Sequence, residues 1–288
     1  MRIQTKKAWT GFALILPLII GCLIFYGIPF FLVLWFSVVR GHGATMHFVG
    51  LDNFAALLDN PVFRLAAGNT ARFLLIGLTL ILFLAYAIAL MLQKATRHSK
   101  LLQSVLLLPY VMPVVGMVVL VDVLFTEAGL WDKLYALLGL PVQNWLQGDS
   151  AFWVTVGMYL WKNTGYGVIL LLAGLMTIPK TYYEVSALDG ANRWHMLRYI
   201  TIPQMWYSVF FAGVFSLINA FKCFREILLI GGETPNESIY MLQHFINNSF
   251  HKLSYGKMAT ASMLLTVLLC GLFAICYRWV MRKEAEKG

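Results

Sequence analysis

The sequence predicts an all-α integral membrane protein with six transmembrane helices, and three observations carry that prediction. Of 288 residues, 60% are hydrophobic and only 12% charged, about half the roughly 25% charged of a soluble domain. Most of the length falls into six charge-poor apolar stretches, each reaching the ~20 residues a helix needs to cross the hydrocarbon core. The segments between them carry Lys and Arg unequally, as the loops of a polytopic protein do. The same figures exclude a disordered or collagen-like chain. The net charge of +9 belongs to no separate basic domain, so nucleic acid is not an expected partner.

The first span, Ala8 to Val39, contains no charge. It is too long for a signal peptide and lacks a small-residue cleavage site, so it is predicted to be retained, with Pro17 and Pro29 as candidate bends. The other spans are predicted at 70–93, 104–126, 151–178, 206–231 and 258–281. Neither a repeat nor a Pro/Gly/Ser-rich linker divides the chain, which predicts one membrane domain over 1–288. Cys22, Cys223, Cys270 and Cys276 lie in apolar runs without CxxC or metal-ligand spacing, and read as packing residues.

Six crossings put both termini on one side. The N-terminus, second loop, fourth loop and tail hold 13 basic residues, whereas the first, third and fifth loops hold five: Arg40, Arg64, Lys133, Lys252 and Lys257. The positive-inside rule therefore places both termini and the second and fourth loops in the cytoplasm.

The fourth loop, 179–203, has helix punctuation at both ends. Pro179 precedes Thr181 and Glu184, which have capping-box spacing, and Gly190 supplies a stop. A second helix is expected to run to about Ile200, with Pro203 in the first turn of span five. In the short first helix Ser186 and Ala187 permit close approach of another surface, while Glu184 and Asp189 offer anionic contacts. Glu184 has two open readings, capping its own helix or docking a partner.

The run Glu184-Val185-Ser186-Ala187-Leu188-Asp189-Gly190-Ala191, closing at Ile200-Thr201-Ile202-Pro203, resembles the E-A-A-x-x-D-G-A … I-x-L-P loop of membrane subunits of binding-protein-dependent ABC importers. Leu107 to Pro113, Ala173 to Pro179 and Phe224 to Pro235 extend the resemblance to the carbohydrate-importing branch, of the maltose and glycerol-3-phosphate permease type. Val185 and Ser186 stand where alanines are usual, and Gly231-Gly232-Glu233-Thr234-Pro235 replaces the usual Gly-Gly-Gly-Pro.

The resemblance implies a type I ABC importer permease fold, with a cytoplasmic coupling helix between spans four and five. Glu184, Ser186, Ala187, Asp189, Gly190 and Ala191 would couple it to an ATPase. It further implies a bacterial cytoplasmic (inner) membrane location, a second homologous permease, two cytosolic ATPase subunits, an extracytoplasmic binding protein and a sugar substrate. ATP and Mg²⁺ would be used by partner subunits, with no cofactor or metal on this chain. Indeed Gly256-Lys257 is followed by Met258 and lacks the upstream glycine of a phosphate-binding loop. The six histidines form no HExxH, and no GxSxG appears, so a non-catalytic subunit is expected.

By the same resemblance Asn163, Thr164 and Gly167 in span four, and Asn219, Ala220 and Cys223 in span five, fall on positions that line a sugar path. Tyr166 or Trp161 would offer a ring face to a pyranose, against the plainer reading of an aromatic belt or packing. Asp122, Lys162, Lys222, Arg225 and Glu226 lie in or near spans, where a central charge costs about 2.5–3.5 kcal/mol. Lys222 and Glu226, four apart, are expected to pair on one helix face; Asp122 and Lys162 are expected to reach water near an interface. In the functional reading Lys162, Lys222 and Arg225 line the path and favour an acidic saccharide. Tyr240, Met241, Phe245, Ile246 and Phe250 recur at helical spacing in the fifth loop. They are expected to lie along the membrane surface or to meet the binding protein. The competing function is an ion-gradient-driven secondary transporter or channel, which needs no docking loop.

Overall fold

A computed structural model of the chain describes residues 2–41, 43–94, 99–127, 129–141 and 144–285. Among these, four helical stretches are long and apolar enough to cross a membrane, Gly11–Val38, Pro61–Gln93, Trp206–Gly231 and Tyr255–Arg282, and a fifth candidate crossing is made up of the helices Val114–Phe125 and Leu130–Leu137. A sixth, Gly148–Met176, joins Lys180–Leu188 through a 64° bend. Two compact units are present, residues 1–63 with 246–271, and residues 64–245 with 272–288.

The first unit begins with α1 (Arg2–Cys22), a π-helical turn at Leu23–Gly27 and α2 (Ile28–Val38). Pro29 has no N–H to donate, and the widened turn just before it closes with Ile28 N–H on Leu23 O, while Pro17 is carried inside α1. A two-residue hairpin follows, β1 (Val39–Arg40) antiparallel to β2 (His47–Phe48) with Arg40 opposite His47. Then comes α3 (Asp52–Leu58). Asn53 ties this region together, its amide donating to Ser37 O at 3.0 Å and Val39 O at 2.9 Å.

Span two is longer than its apolar run. α4 (Pro61–Lys94) starts where the Asn60 side chain accepts the N–H groups of Val62 and Phe63, with Pro61 in the first turn. Span three departs from the expected single helix at 104–126. It is broken into α5 (Ser99–Val111) and α6 (Val114–Phe125), because Pro113 sits in extended backbone and disfavours helical geometry at Met112. After α7 (Leu130–Leu137), α8 (Gly148–Met176) runs 29 residues without a break. It packs against α5 at Gly165, where any Cβ would collide with the Leu106 carbonyl.

The fourth loop holds α9 (Lys180–Leu188), α10 (Arg193–Met196), a π-helical turn at Leu197–Thr201 and α11 (Ile202–Gln204). The second loop helix therefore runs past Ile200 as expected, widened by the π-helical turn, and Pro203 falls in its last turn and not in the first turn of span five, which starts at Trp206. Span five is α12 (Trp206–Lys222) and α13 (Phe224–Gly231), separated at Cys223. The chain ends with α14 (Leu242–His251) and α15 (Tyr255–Ala285).

The core of the second unit has two clusters. Phe73, Met117, Phe152, Tyr159 and Ile227 form one, and Ala85, Ala89, Leu171, Leu175 and Met205 the other. Met241 belongs to the first cluster and Phe245 is buried. These two residues of the segment face protein, whereas Phe250 is exposed. His244, beside them, is fully buried. Its Nδ1 accepts the Met241 N–H at 3.1 Å, the Phe224 ring meets it edge-on and the Tyr240 ring stacks over it.

Candidate functional site: an intramembrane polar cavity and an exposed loop helix

Among the described residues of α5, α8, α12 and α13 a cavity of about 220 Å³ is lined by Tyr110, Lys162, Asn163, Asn219, Lys222, Cys223 and Glu226. Each lining residue is placed by helix spacing. Lys162 and Asn163 are adjacent on α8, and Asn219, Lys222, Cys223 and Glu226 recur every three or four residues along span five, on one face. The break at Cys223 keeps that face continuous from α12 into α13.

The charges are not arranged as the spacing suggested. Glu226 pairs with Lys162 across spans four and five, not with Lys222. Facing helices bring the two side chains together, whereas an i, i+4 pair would leave Lys162 alone in a nearly dry place. Lys162 is 15% and Glu226 4% exposed in their side chains, so Lys162 is held on a carboxylate at the cavity wall and not merely extended to water near an interface. Lys222 is exposed and has no carboxylate partner among the described residues. The second carboxylate oxygen of Glu226 is buried without a hydrogen-bond partner.

The other path residues divide. The Asn163 amide donates to Tyr159 O at 2.9 Å and the Thr164 hydroxyl to Leu160 O at 2.6 Å, both back along α8. Asn163 keeps its carbonyl oxygen for other donors, but Thr164 does not line the cavity. Tyr166 stacks on Tyr110 with centroids 4.7 Å apart, so it buttresses the lining from behind. Gly167 and Ala220 are buried. A Cβ on Gly167 would lie 3.1 Å from Ala85 Cβ, so this glycine serves the approach of α4 to α8. Trp161 is exposed and borders a separate apolar pocket with Trp131, Trp145 and Trp153. Sequence reasoning did not place Tyr110 and Glu226 in the path. Glu226 was named only as an intrahelical partner, although its seven-residue spacing from Asn219 put both on one helix face.

The loop helix α9 ends in a Schellman closure: Gly190, at φ +81°, sends its N–H to Ala187 O at 3.1 Å, and Ala191 sends its N–H to Ser186 O at 2.9 Å. Its start is not the expected capping box. Pro179 occupies the N-cap and no side chain caps the helix, because the helix begins one residue before Thr181 and shifts Thr181 and Glu184 out of register. Glu184, Ala187 and Asp189 are exposed, and Ser186 Oγ turns back to Tyr183 O at 3.2 Å. Leu188 is 88% exposed. The helix is held from one side by Tyr183, whose hydroxyl lies 3.0 Å from Thr201 Oγ1. Asn192 caps α10 by accepting the His195 N–H at 2.9 Å.

A helical chain with five to six apolar crossings, a charged cavity inside them and a short helix left bare beyond them is a membrane transport subunit. The model of the family described as "Binding-protein-dependent transport system inner membrane component" matches residues 77–284, and the chain belongs to that family. It is the non-catalytic, multi-pass inner-membrane permease of an ATP-driven, binding-protein-dependent ABC importer. The chain is 28% identical over 285 residues to the trehalose/maltose transport system permease protein MalF of Thermococcus litoralis, covering 98% of this chain and 96% of that protein. It is 30% identical over 285 residues to the sn-glycerol-3-phosphate transport system permease protein UgpA of Yersinia pseudotuberculosis, covering 96% of each. Among solved structures, a bacterial alginate ABC transporter in complex with an alginate pentasaccharide-bound periplasmic protein contains a chain that superposes with TM-score 0.85. That likeness is at 21% identity and covers 98% of this chain and 97% of that one, and it establishes the permease fold.

Proposed function

We propose that this chain, acting over residues 1–288 as one permease domain beside a second homologous permease, forms an alternating-access path for a sugar or oligosaccharide. An extracytoplasmic binding protein delivers the substrate. Two cytosolic ATPases grip Glu184, Ser186, Ala187, Asp189, Gly190 and Ala191 and supply the work, with ATP and Mg²⁺ held on those subunits. Both termini lie in the cytoplasm of a bacterial cell in this reading.

The observation that carries it is the polar cavity inside otherwise apolar spans. Asn163, Asn219 and the free oxygen of Glu226 are hydrogen-bonding groups of the kind that sugar hydroxyls exchange for water. Their desolvation cost is tolerated where a polar ligand passes. Support for the substrate class comes from the relatives, which are transport systems for trehalose and maltose, for glycerol-3-phosphate and for alginate. Closure of the ATPase pair would draw the two coupling helices together and shift the spans between inward- and outward-facing states, biased by nucleotide and by loaded binding protein.

The test is ATPase activity of the reconstituted complex with its binding protein and a panel of neutral and acidic saccharides. One saccharide stimulates turnover if the reading holds, and transport by the isolated chain overturns it. Glu184→Lys should leave the permease inserted while releasing or uncoupling the ATPase; unchanged assembly and uptake would remove the docking role. Asn219→Leu should lower uptake more than expression, and an unaltered rate would take Asn219 out of the path.

A further inference from the structure

We propose that the first unit carries an anionic phospholipid site, built at the membrane–water boundary where spans one and six end. A cavity of about 640 Å³ lies there, walled by Phe36, Met46, Leu57 and Tyr255 and bordered by two cations, Arg40 and Lys257. Its place in the bilayer follows from the helix ends: α2 stops at Val38 and α15 starts at Tyr255.

Arg40 is held for the task. It stands in β1 opposite His47, and its Nε donates to Asn53 Oδ1 at 3.1 Å. The Asn53 amide is itself fixed on the Ser37 and Val39 carbonyls. One edge of the guanidinium is thereby committed to protein and its terminal amino groups remain for an oxyanion, the geometry in which Arg binds phosphate. Lys257 has no carboxylate partner among the described residues and brings a second positive charge to the same cavity. These two are among only five basic residues on the side of the membrane that the basic-residue asymmetry marks as outer. A pair of unneutralised cations over an apolar hollow matches a phosphate with an acyl chain beneath it. A neutral or zwitterionic headgroup leaves that excess charge uncompensated. The volume is in the range of small-molecule sites.

The experiment uses the assembled transporter in nanodiscs of phosphatidylcholine containing a minority of phosphatidylglycerol. After extraction, retained lipid is read by native mass spectrometry. Phosphatidylglycerol is expected to be enriched over phosphatidylcholine on the wild-type protein. Lys257→Gln, which breaks no hydrogen bond among the described residues, should lower that enrichment about 5-fold and Arg40→Gln/Lys257→Gln about 25-fold. Lys252→Gln, a cation outside the cavity, should leave it unchanged. Soluble glycerol-1-phosphate, the free headgroup, should not displace the lipid. Equal retention of the two lipids, equal enrichment in the Lys257→Gln protein, or full displacement by the free headgroup would each overturn the proposal.

Discussion

The ion pair between Lys162 and Glu226 makes a quantitative prediction. The two side chains are 15% and 4% exposed, so removing one leaves the other charge without a counter-ion in a poorly hydrated place. Two unit charges ~4 Å apart attract by about 4 kcal/mol at an effective dielectric constant of 20, and breaking a buried pair from one side costs about 3–5 kcal/mol. The neighbouring cavity admits some hydration to Lys162, which sets the expected loss near about 3 kcal/mol for Glu226→Gln and for Lys162→Met. The double variant restores an uncharged site and should cost only about 1 kcal/mol, against about 6 kcal/mol if the two losses added, a coupling energy of about 5 kcal/mol. The assay is unfolding of the purified permease in mixed micelles titrated with SDS, run on all four members of the cycle. Losses that add to within about 0.5 kcal/mol in the double variant would refute the reasoning.

Two glycines of α8 should respond oppositely to alanine. Gly165→Ala must force α5 off α8 and is expected to lower stability by about 1–3 kcal/mol in the same assay. Gly157→Ala meets nothing within 4 Å and should be neutral or stabilising by up to about 1 kcal/mol. Equal effects would show that the α5–α8 approach is not what Gly165 provides. On α14, burial pushes the His244 imidazole down from 6.5 to about 4. The unfolded chain binds the proton first, so this contribution is fully present above pH 6.5 and is lost as pH falls from 6.5 toward about 4, reaching about 3 kcal/mol. His244→Asn keeps an acceptor for the Met241 N–H and should flatten that acid limb of the stability–pH curve; an unchanged limb would assign it to other groups.

Much of the fold was legible because lipid leaves the backbone few options. Charge-free runs of 20 or more residues had to be helices, and Gly190 marked the end of α9 because only its positive φ fits the Schellman closure. Less legible were features decided by neighbours. The division of span three at Met112–Pro113 was written in the proline, yet an apolar run hides whether a helix kinks or stops. The Lys162–Glu226 pair depends on how α8 faces span five, which spacing along one helix does not reveal, and so the i, i+4 partner Lys222 was the wrong choice. For the same reason Gly167 and Ala220 proved to be packing positions, while Tyr110 entered the cavity from another helix. On α9 a two-residue shift of the N-cap, from Thr181 to Pro179, was enough to dissolve a capping box that the local sequence spells out.

One consequence follows from α8 being unbroken from Gly148 to Met176. At 1.5 Å per residue this is a rod of about 44 Å, with Lys162 at its midpoint and the bend into α9 just past its end. Its neighbours across the cavity are jointed, span three at Pro113 and span five at Cys223. Under the coupling proposed for α9, force from an ATPase would reach this stiff shaft across the 64° bend, while the breaks lie on the opposite walls, so the lining would yield on the sides that carry Tyr110 and Asn219 and keep its shape on the side that carries Asn163.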